Sequence, residues 1–288
     1  MSLETKKYLI NGSLTDKVNE SFLTENRALR LGDGFFETIR VMDGKIPFWE
    51  GHFARLKASC DLLGMERGSI FDKLVLEKAI YALLKECGIR QGGRLRITVF
   101  RLGGGAYRPE TNRAGYIAEV VPFFPNYFAL NDRGLNIGLF REWLKPLSNL
   151  SKLKILGNQV SIQATIWAER NGFDDALILN QNGGICESSA GNLFVVQGDK
   201  IKTPGLKEGG VAGVMRMTLV NACIDEGLSL FESPIDESDL LSADEIFLSN
   251  SIAGIIWVGK FRHKRYFHKT SDLLITSLNK RLKHLVEA

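Results

Sequence analysis

The chain has 288 residues, 44% hydrophobic and 24% charged, the profile of an ordinary globular protein with room for one large core or two modest ones. Its formal charge of +4, from 37 Lys and Arg against 33 Asp and Glu, is too small and too dispersed to signal nucleic-acid binding. No apolar run approaches the roughly 20 residues of a membrane span. Cys60, Cys87, Cys186 and Cys223 are scattered, without CxxC pairs, so neither a zinc site nor a disulfide framework is signalled. The opening MSLETKKYLING lacks the apolar centre of a signal peptide, and a cytoplasmic protein is expected.

Lys7–Ile10 before Asn11-Gly12 predicts a first strand and turn. In the segment Arg30–Met42 the pattern alternates from Phe35, with Phe35, Glu37, Ile39 and Val41 on one face and Phe36, Thr38 and Arg40 on the other. That is strand periodicity. Trp49–Gly64 predicts a helix with Phe53, Leu56, Cys60 and Leu63 on one stripe and Arg55 beside it, and Ser69–Gly88 a second. Gly93–Arg101 and Tyr116–Val121 are strands. The loop Gly103-Gly-Gly-Ala-Tyr107 after the first of these fits neither the dinucleotide fingerprint nor the P-loop.

The break Pro122-Phe-Phe-Pro125 predicts a domain boundary: residues 1–121 as a first domain, 122–130 as a linker, and 131–288 as a second. The second half reads as strand Asn136–Phe140, an apolar patch at Leu153–Leu156 carrying Lys154, and a helix over Asn158–Glu169. A central hairpin is expected next, with strands Ala176–Asn180 and Asn192–Gln197 turned by Asn182-Gly183-Gly184. A strand at Lys200–Thr203, a helix at Val214–Glu226 and strands Leu228–Glu232 and Glu245–Leu248 follow. Strands and helices are mixed throughout, so the fold class is α/β (α+β) in two domains.

Between the expected hairpin strands sit Glu187, Ser188, Ser189 and Asn192. A solvated rim Glu is the simple reading of Glu187, but Lys154 upstream, on the edge of apolar surface, suggests a cation and an anion facing one cavity. A desolvated amine can act as a nucleophile toward an aldehyde. The bare approach Gly209-Gly210-Val211-Ala212-Gly213 to the Val214 helix would let backbone amides meet an anion at a helix N-terminus, or would serve close packing alone.

Lys154, then Asp174-Asp175, then Glu187-Ser-Ser-Ala-Gly-Asn192-Leu-Phe194, then Gly209-Gly-Val-Ala-Gly-Val-Met-Arg216, then Ala243-Asp-Glu-Ile-Phe-Leu-Ser-Asn-Ser251, in that order, resemble the class IV pyridoxal-phosphate enzymes. These comprise branched-chain and D-amino acid aminotransferases and aminodeoxychorismate lyases. The resemblance runs from about Tyr8 to beyond Val258. It implies a fold-type IV architecture with a smaller N-terminal α/β domain and a larger C-terminal pseudo-barrel domain.

It also implies pyridoxal 5'-phosphate, linked as an aldimine to Lys154, with Lys152 as the competing residue two positions away. Arg55, the amides of Val214 and Met215, and the Ser251 hydroxyl would hold its phosphate, and Glu187 its pyridine nitrogen. Phe36, Arg101 and Tyr107 would face the substrate, a small amino compound bearing a carboxylate, and a homodimer is expected. For Arg55 and Arg101 on their own, solvated charges are the alternative. Three functions stay open: a 4-amino-4-deoxychorismate lyase, favoured by Arg101 and the Gly103–Tyr107 loop; an aminotransferase for branched-chain or D-amino acids; and a non-catalytic module of the same fold.

Overall fold

A computed structural model describes residues 6–287 as two compact units. The first runs to Asn126 and also takes in Lys154–Gly157; the second comprises Tyr127–Leu153 and the chain from Asn158 onward. The chain leaves the first unit inside the expected 122–130 linker. Lys154–Gly157, which the sequence reading kept with the C-terminal domain, instead join the first unit by backbone pairing.

The first unit contains β1 (Tyr8–Ile10), β2 (Ser13–Thr15), α1 (Glu20–Glu25), α2 (Arg27–Leu31), β3 (Gly34–Val41), α3 (Trp49–Leu62), α4 (Lys73–Glu86), β4 (Gly93–Arg101) and β5 (Ala114–Pro122). Its five strands form an antiparallel sheet in the order β2-β1-β5-β4-β3. The alternation read from the sequence decides its faces. Phe35, Ile39 and Val41 are fully buried with Leu56, Leu76 and Ile80 of the two long helices, and Glu37 lies among them on the same face. The buried side of α3 is rotated from the stripe read in the sequence, since it takes in His52 and Ser59 with Leu56 and Cys60.

The second unit contains β6 (Leu135–Lys145), α5 (Gln159–Arg170), β7 (Asp175–Asn180), β8 (Ile185–Ser188), β9 (Asn192–Gln197), β10 (Lys200–Thr203), α6 (Val214–Asp225), β11 (Ser229–Glu232), α7 (Glu237–Ser242), β12 (Glu245–Asn250), β13 (Gly254–Phe261), β14 (Lys264–Arg265) and α8 (Lys269–Glu287). The sheet order is β11-β10-β9-β12-β13-β6-β7-β8, with β14 on β13. Its end strand β8 is joined to β9 by a tight turn in which the Ser188 amide donates to Gly191 O at 2.8 Å, so the sheet curls back on itself. Phe194 and Phe247 stack at 4.8 Å across β9 and β12, a pairing worth about 0.5–1.5 kcal/mol beyond the area it buries. On β6, Gly138 leaves room for the rings of Trp167 and Phe173; a Cβ there would meet them at 2.6 and 2.7 Å.

The expected central hairpin is corrected. Its turn at 181–184 joins β7 to β8, not to β9, and β9 lies away from β7, between β10 and β12. Ile185 and Cys186 are apolar and buried, so Glu187 and Ser188 belong to a short strand instead of a polar turn. Two hydrophobic residues beside a glycine turn were too brief a run to register as a strand.

Candidate active site

In the first unit the chemistry gathers around Glu37. Its carboxylate accepts from Arg55 Nε at 2.7 Å and from Arg55 Nη2 at 2.6 Å, and its Oε2 lies 2.8 Å from His52 Nδ1. The side chain of Arg55 is 9% exposed and that of Glu37 1%. Arg55 and His52 stand one turn apart on α3, which presents both to the same strand residue. Burial opposes ionisation of Glu37, but the Arg55 charge and the hydrogen bonds from Arg55 and His52 prevail and bring its pKa to about 2. Burial keeps His52 below the usual imidazole range, against the pull of Glu37, with Arg55 and Lys154 adding to the lowering. His52 is therefore neutral near pH 7, with its proton on Nδ1, donated to an anionic Glu37.

Lys154 belongs to a short segment laid along β3. Phe36 N–H donates to Lys154 O at 2.9 Å and Leu156 N–H to Gly34 O at 3.0 Å. The Lys154 ammonium lies 4.7 Å from the centroid of the Phe36 ring, and the Arg96 guanidinium lies 3.9 Å from the same centroid. Phe36 thus carries two cation–π contacts, of about 0.5–1 kcal/mol each at exposed sites and more where desolvated. Lys152 goes elsewhere: its Nζ is 3.4 Å from Asn149 Oδ1, and its carbonyl accepts the Ala212 N–H at 2.9 Å.

Arg101 is engaged by hydrogen bonds within the first unit, whereas Tyr107 stands in solvent. Arg101 donates from Nε to Asp33, from Nη1 to Gly64 O and Asn112, and from Nη2 to Leu63 O, which commits four of its five N–H groups. The buried Arg27 fastens the following loop through the carbonyls of Gly104, Gly105 and Ala106 at 3.1, 3.1 and 2.7 Å. Tyr107, at its tip, is 93% exposed.

In the second unit Glu187 is buried in β8, ion-paired with Lys145 of β6, and its Oε2 accepts the Val211 N–H at 2.8 Å. Val211 lies on the approach to α6, whose N-cap Gly213 provides no side-chain cap. The glycines of this approach also serve packing, since a Cβ on Gly210 would stand 2.8 Å from Cys186 O, and Gly209 has a φ of +88°. The amides of Val211, Ala212 and Gly213 are spent on Glu187 Oε2, Lys152 O and Val211 O, so what the approach shows is close packing. Val214 and Met215 form the first turn of α6, and Ser251 lies in the turn after β12, a strand against which α6 packs. Ser249, directly across from Asn192, has a buried hydroxyl with no partner among the described residues.

Residues 34–261 match the family described as amino-transferase class IV, and the chain belongs to that family, a group of pyridoxal-phosphate-dependent enzymes. Among relatives, it is 32% identical over 235 residues to an aminodeoxychorismate lyase of Vibrio harveyi, covering 80% of this chain and 83% of that one. Among solved structures, a 4-amino-4-deoxychorismate lyase from Pseudomonas aeruginosa superposes with a TM-score of 0.80 at 26% identity, covering 96% and 98% of the two chains. The branched-chain aminotransferase from the thermophilic archaeon Thermoproteus uzoniensis, solved with norvaline, has the same fold, with a TM-score of 0.85 at 23% identity and coverage of 96% and 95%. Taken by itself, the second unit suits a phosphorylated pyridine, with an uncapped helix N-terminus for an anion and a buried carboxylate for a ring nitrogen.

The sequence reading had assigned no role to four of the groups around these residues, Glu37, His52, Lys145 and Arg96. Glu37 was visible as a carboxylate on the apolar face of an alternating strand. Lys145 and Arg96 carried no local signal, because their partners Glu187 and Phe36 lie 42 and 60 positions away.

Proposed function

We propose that the protein is a 4-amino-4-deoxychorismate lyase, releasing pyruvate and leaving 4-aminobenzoate. The observation that carries this reading is the 32% identity to the Vibrio lyase over 80% of the chain. The Gly103–Tyr107 loop no longer contributes to it, since Arg27 holds that loop through its carbonyls and the Tyr107 ring lies in solvent.

The bound cofactor supplies an electron sink at the substrate α-carbon. Lys154 would tether it and take the proton from that carbon, which becomes the amino-bearing ring carbon of 4-aminobenzoate as the neighbouring carbon–oxygen bond breaks; the proton goes to the departing enolpyruvate, which leaves as pyruvate. Glu187 holds the proton on the pyridine nitrogen. Arg55, the Val214 and Met215 amides and the Ser251 hydroxyl bind the phosphate, and the Arg55 fork is already oriented by Glu37. Arg96, stacked on Phe36, receives the substrate carboxylate, while Arg101 sets the base of the loop. The protein acts as a cytoplasmic homodimer on a small amino substrate.

The same residues serve an aminotransferase up to removal of the α-proton, which keeps that reaction as the alternative. A binding module would need neither Lys154 nor Glu187. The deciding experiment supplies the cofactor-loaded protein with 4-amino-4-deoxychorismate and, separately, with branched-chain and D-amino acids plus 2-oxoglutarate. Pyruvate and 4-aminobenzoate formed faster than any transamination product support the lyase. Robust 2-oxoglutarate-dependent turnover without 4-aminobenzoate overturns it.

A further inference from the structure

The end of β6 inverts the usual order of burial. Trp143 and Leu144 are each 46% exposed, whereas Lys145, the next residue, is 5% exposed. Lysine is almost never fully buried without a partner. An irregularity in the pairing of β6 with β7 falls between Phe140 and Lys145, and beyond it Lys145 lies opposite Asn180. Its ammonium is ion-paired with Glu187 Oε1 on β8, inside the second unit.

We propose that Lys145 is a positioning residue for Glu187: it fixes the rotamer in which that carboxylate faces the pyridine nitrogen. The proposal rests on the assignment of Glu187 to that nitrogen. A carboxyl buried alone favours its neutral form, whereas a cation in contact favours the anion. Only the anion can hold a proton on a pyridine nitrogen. Glu187 is gripped at both oxygens, by Lys145 at Oε1 and by the Val211 amide at Oε2. Each oxygen retains a lone pair for a further donor, so the grip orients the carboxylate without saturating it. Because Val211 lies on the approach to α6, the same contacts tie the carboxylate to the turn assigned to the phosphate.

A purely structural ion pair is the competing account, since buried pairs often contribute little to stability. Among the described residues, the titratable groups beside Glu187 include Lys145, Cys186, whose thiol burial pushes up to about 12, and Glu208, which reaches the cluster through Asn180. None but Glu187 and Lys145 is altered in the test.

Glu187→Gln, Lys145→Gln, Lys145→Arg and the double variant Lys145→Gln/Glu187→Gln are each loaded with pyridoxal phosphate. The absorption spectrum of the bound cofactor is titrated against pH, and Tm is recorded in parallel. Lys145→Gln is expected to displace the spectral titration in the same direction as Glu187→Gln, Lys145→Arg to restore it, and the double variant to add nothing beyond Glu187→Gln. A Lys145→Gln protein that melts lower yet keeps the wild-type titration leaves a structural pair only and overturns the proposal. If Lys145→Gln does not fold, Lys145→Met decides: a spectral titration displaced in the direction of Glu187→Gln supports the proposal, and the wild-type titration overturns it. An unchanged spectrum in Glu187→Gln itself removes the nitrogen assignment, a failure distinct from that of Lys145.

Discussion

Replacing Glu37 with Gln separates the charge of the first unit's buried cluster from its shape. Glutamine keeps the volume and one acceptor but strips Arg55 of its counter-ion. The Glu37 pKa falls from 4.5 to about 2 on folding. At about 1.4 kcal/mol for each tenfold change in the ionisation constant, that fall corresponds to roughly 3 kcal/mol of pH-dependent stability. The sign follows from the depressed value: the contribution is complete above about pH 4.5 and is lost as pH falls through 4.5 toward 2. Chemical denaturation of the wild type and Glu37→Gln, measured in steps from about pH 7 to about pH 2, should give a stability difference that is constant near neutrality and shrinks by about 3 kcal/mol across that acid window. Other carboxylates titrate in both proteins and cancel in the difference. A difference that stays flat with pH would refute the reasoning, because Glu37 would then not be ionised through its pairing with Arg55 and His52.

Borohydride reduction of the loaded protein followed by peptide mass mapping should place the cofactor on Lys154; label on Lys152 would overturn that assignment. Arg55→Lys should keep Glu37 paired but lose the guanidinium fork, weakening cofactor binding about tenfold or more by fluorescence titration, as loss of a charge-assisted contact of about 1.5–3 kcal/mol implies. Unchanged affinity would return Arg55 to a purely structural role. Arg96→Leu should raise the KM for the carboxylate substrate with little change in cofactor affinity, and an unaltered KM would remove Arg96 from the substrate side.

The sequence was most legible where periodicity and punctuation agreed. The bounds of β4 and β10 match the expected strands residue for residue, and Glu37 could be placed on the Phe35–Ile39 face from alternation alone. It was least legible where a strand was short or its partner distant. β8 spans four residues and was absorbed into a turn; β13 and the amphipathic α8, which follow the Ser251 motif, went unread. In the site, motif order supplied Lys154, Arg55 and Glu187. Their electrostatic partners, Lys145 for Glu187 and Glu37 with His52 for Arg55, are set by strand pairing and helix phase, which spacing along the chain does not encode.

The segment Lys154–Gly157 also bears on how the chain can be divided. β3 is the edge strand of its sheet, and the Phe36 amide and Gly34 carbonyl that would otherwise face outward are covered by Lys154 and Leu156. A fragment ending at Asn126 would therefore carry a bare, largely apolar sheet edge of the kind that templates aggregation. The lysine proposed to hold the cofactor and the strip that seals the sheet are one piece of backbone. Cutting the gene after Asn126 would remove both together, and an insoluble N-terminal fragment, rescued by a peptide carrying residues 153–157, is the expected result.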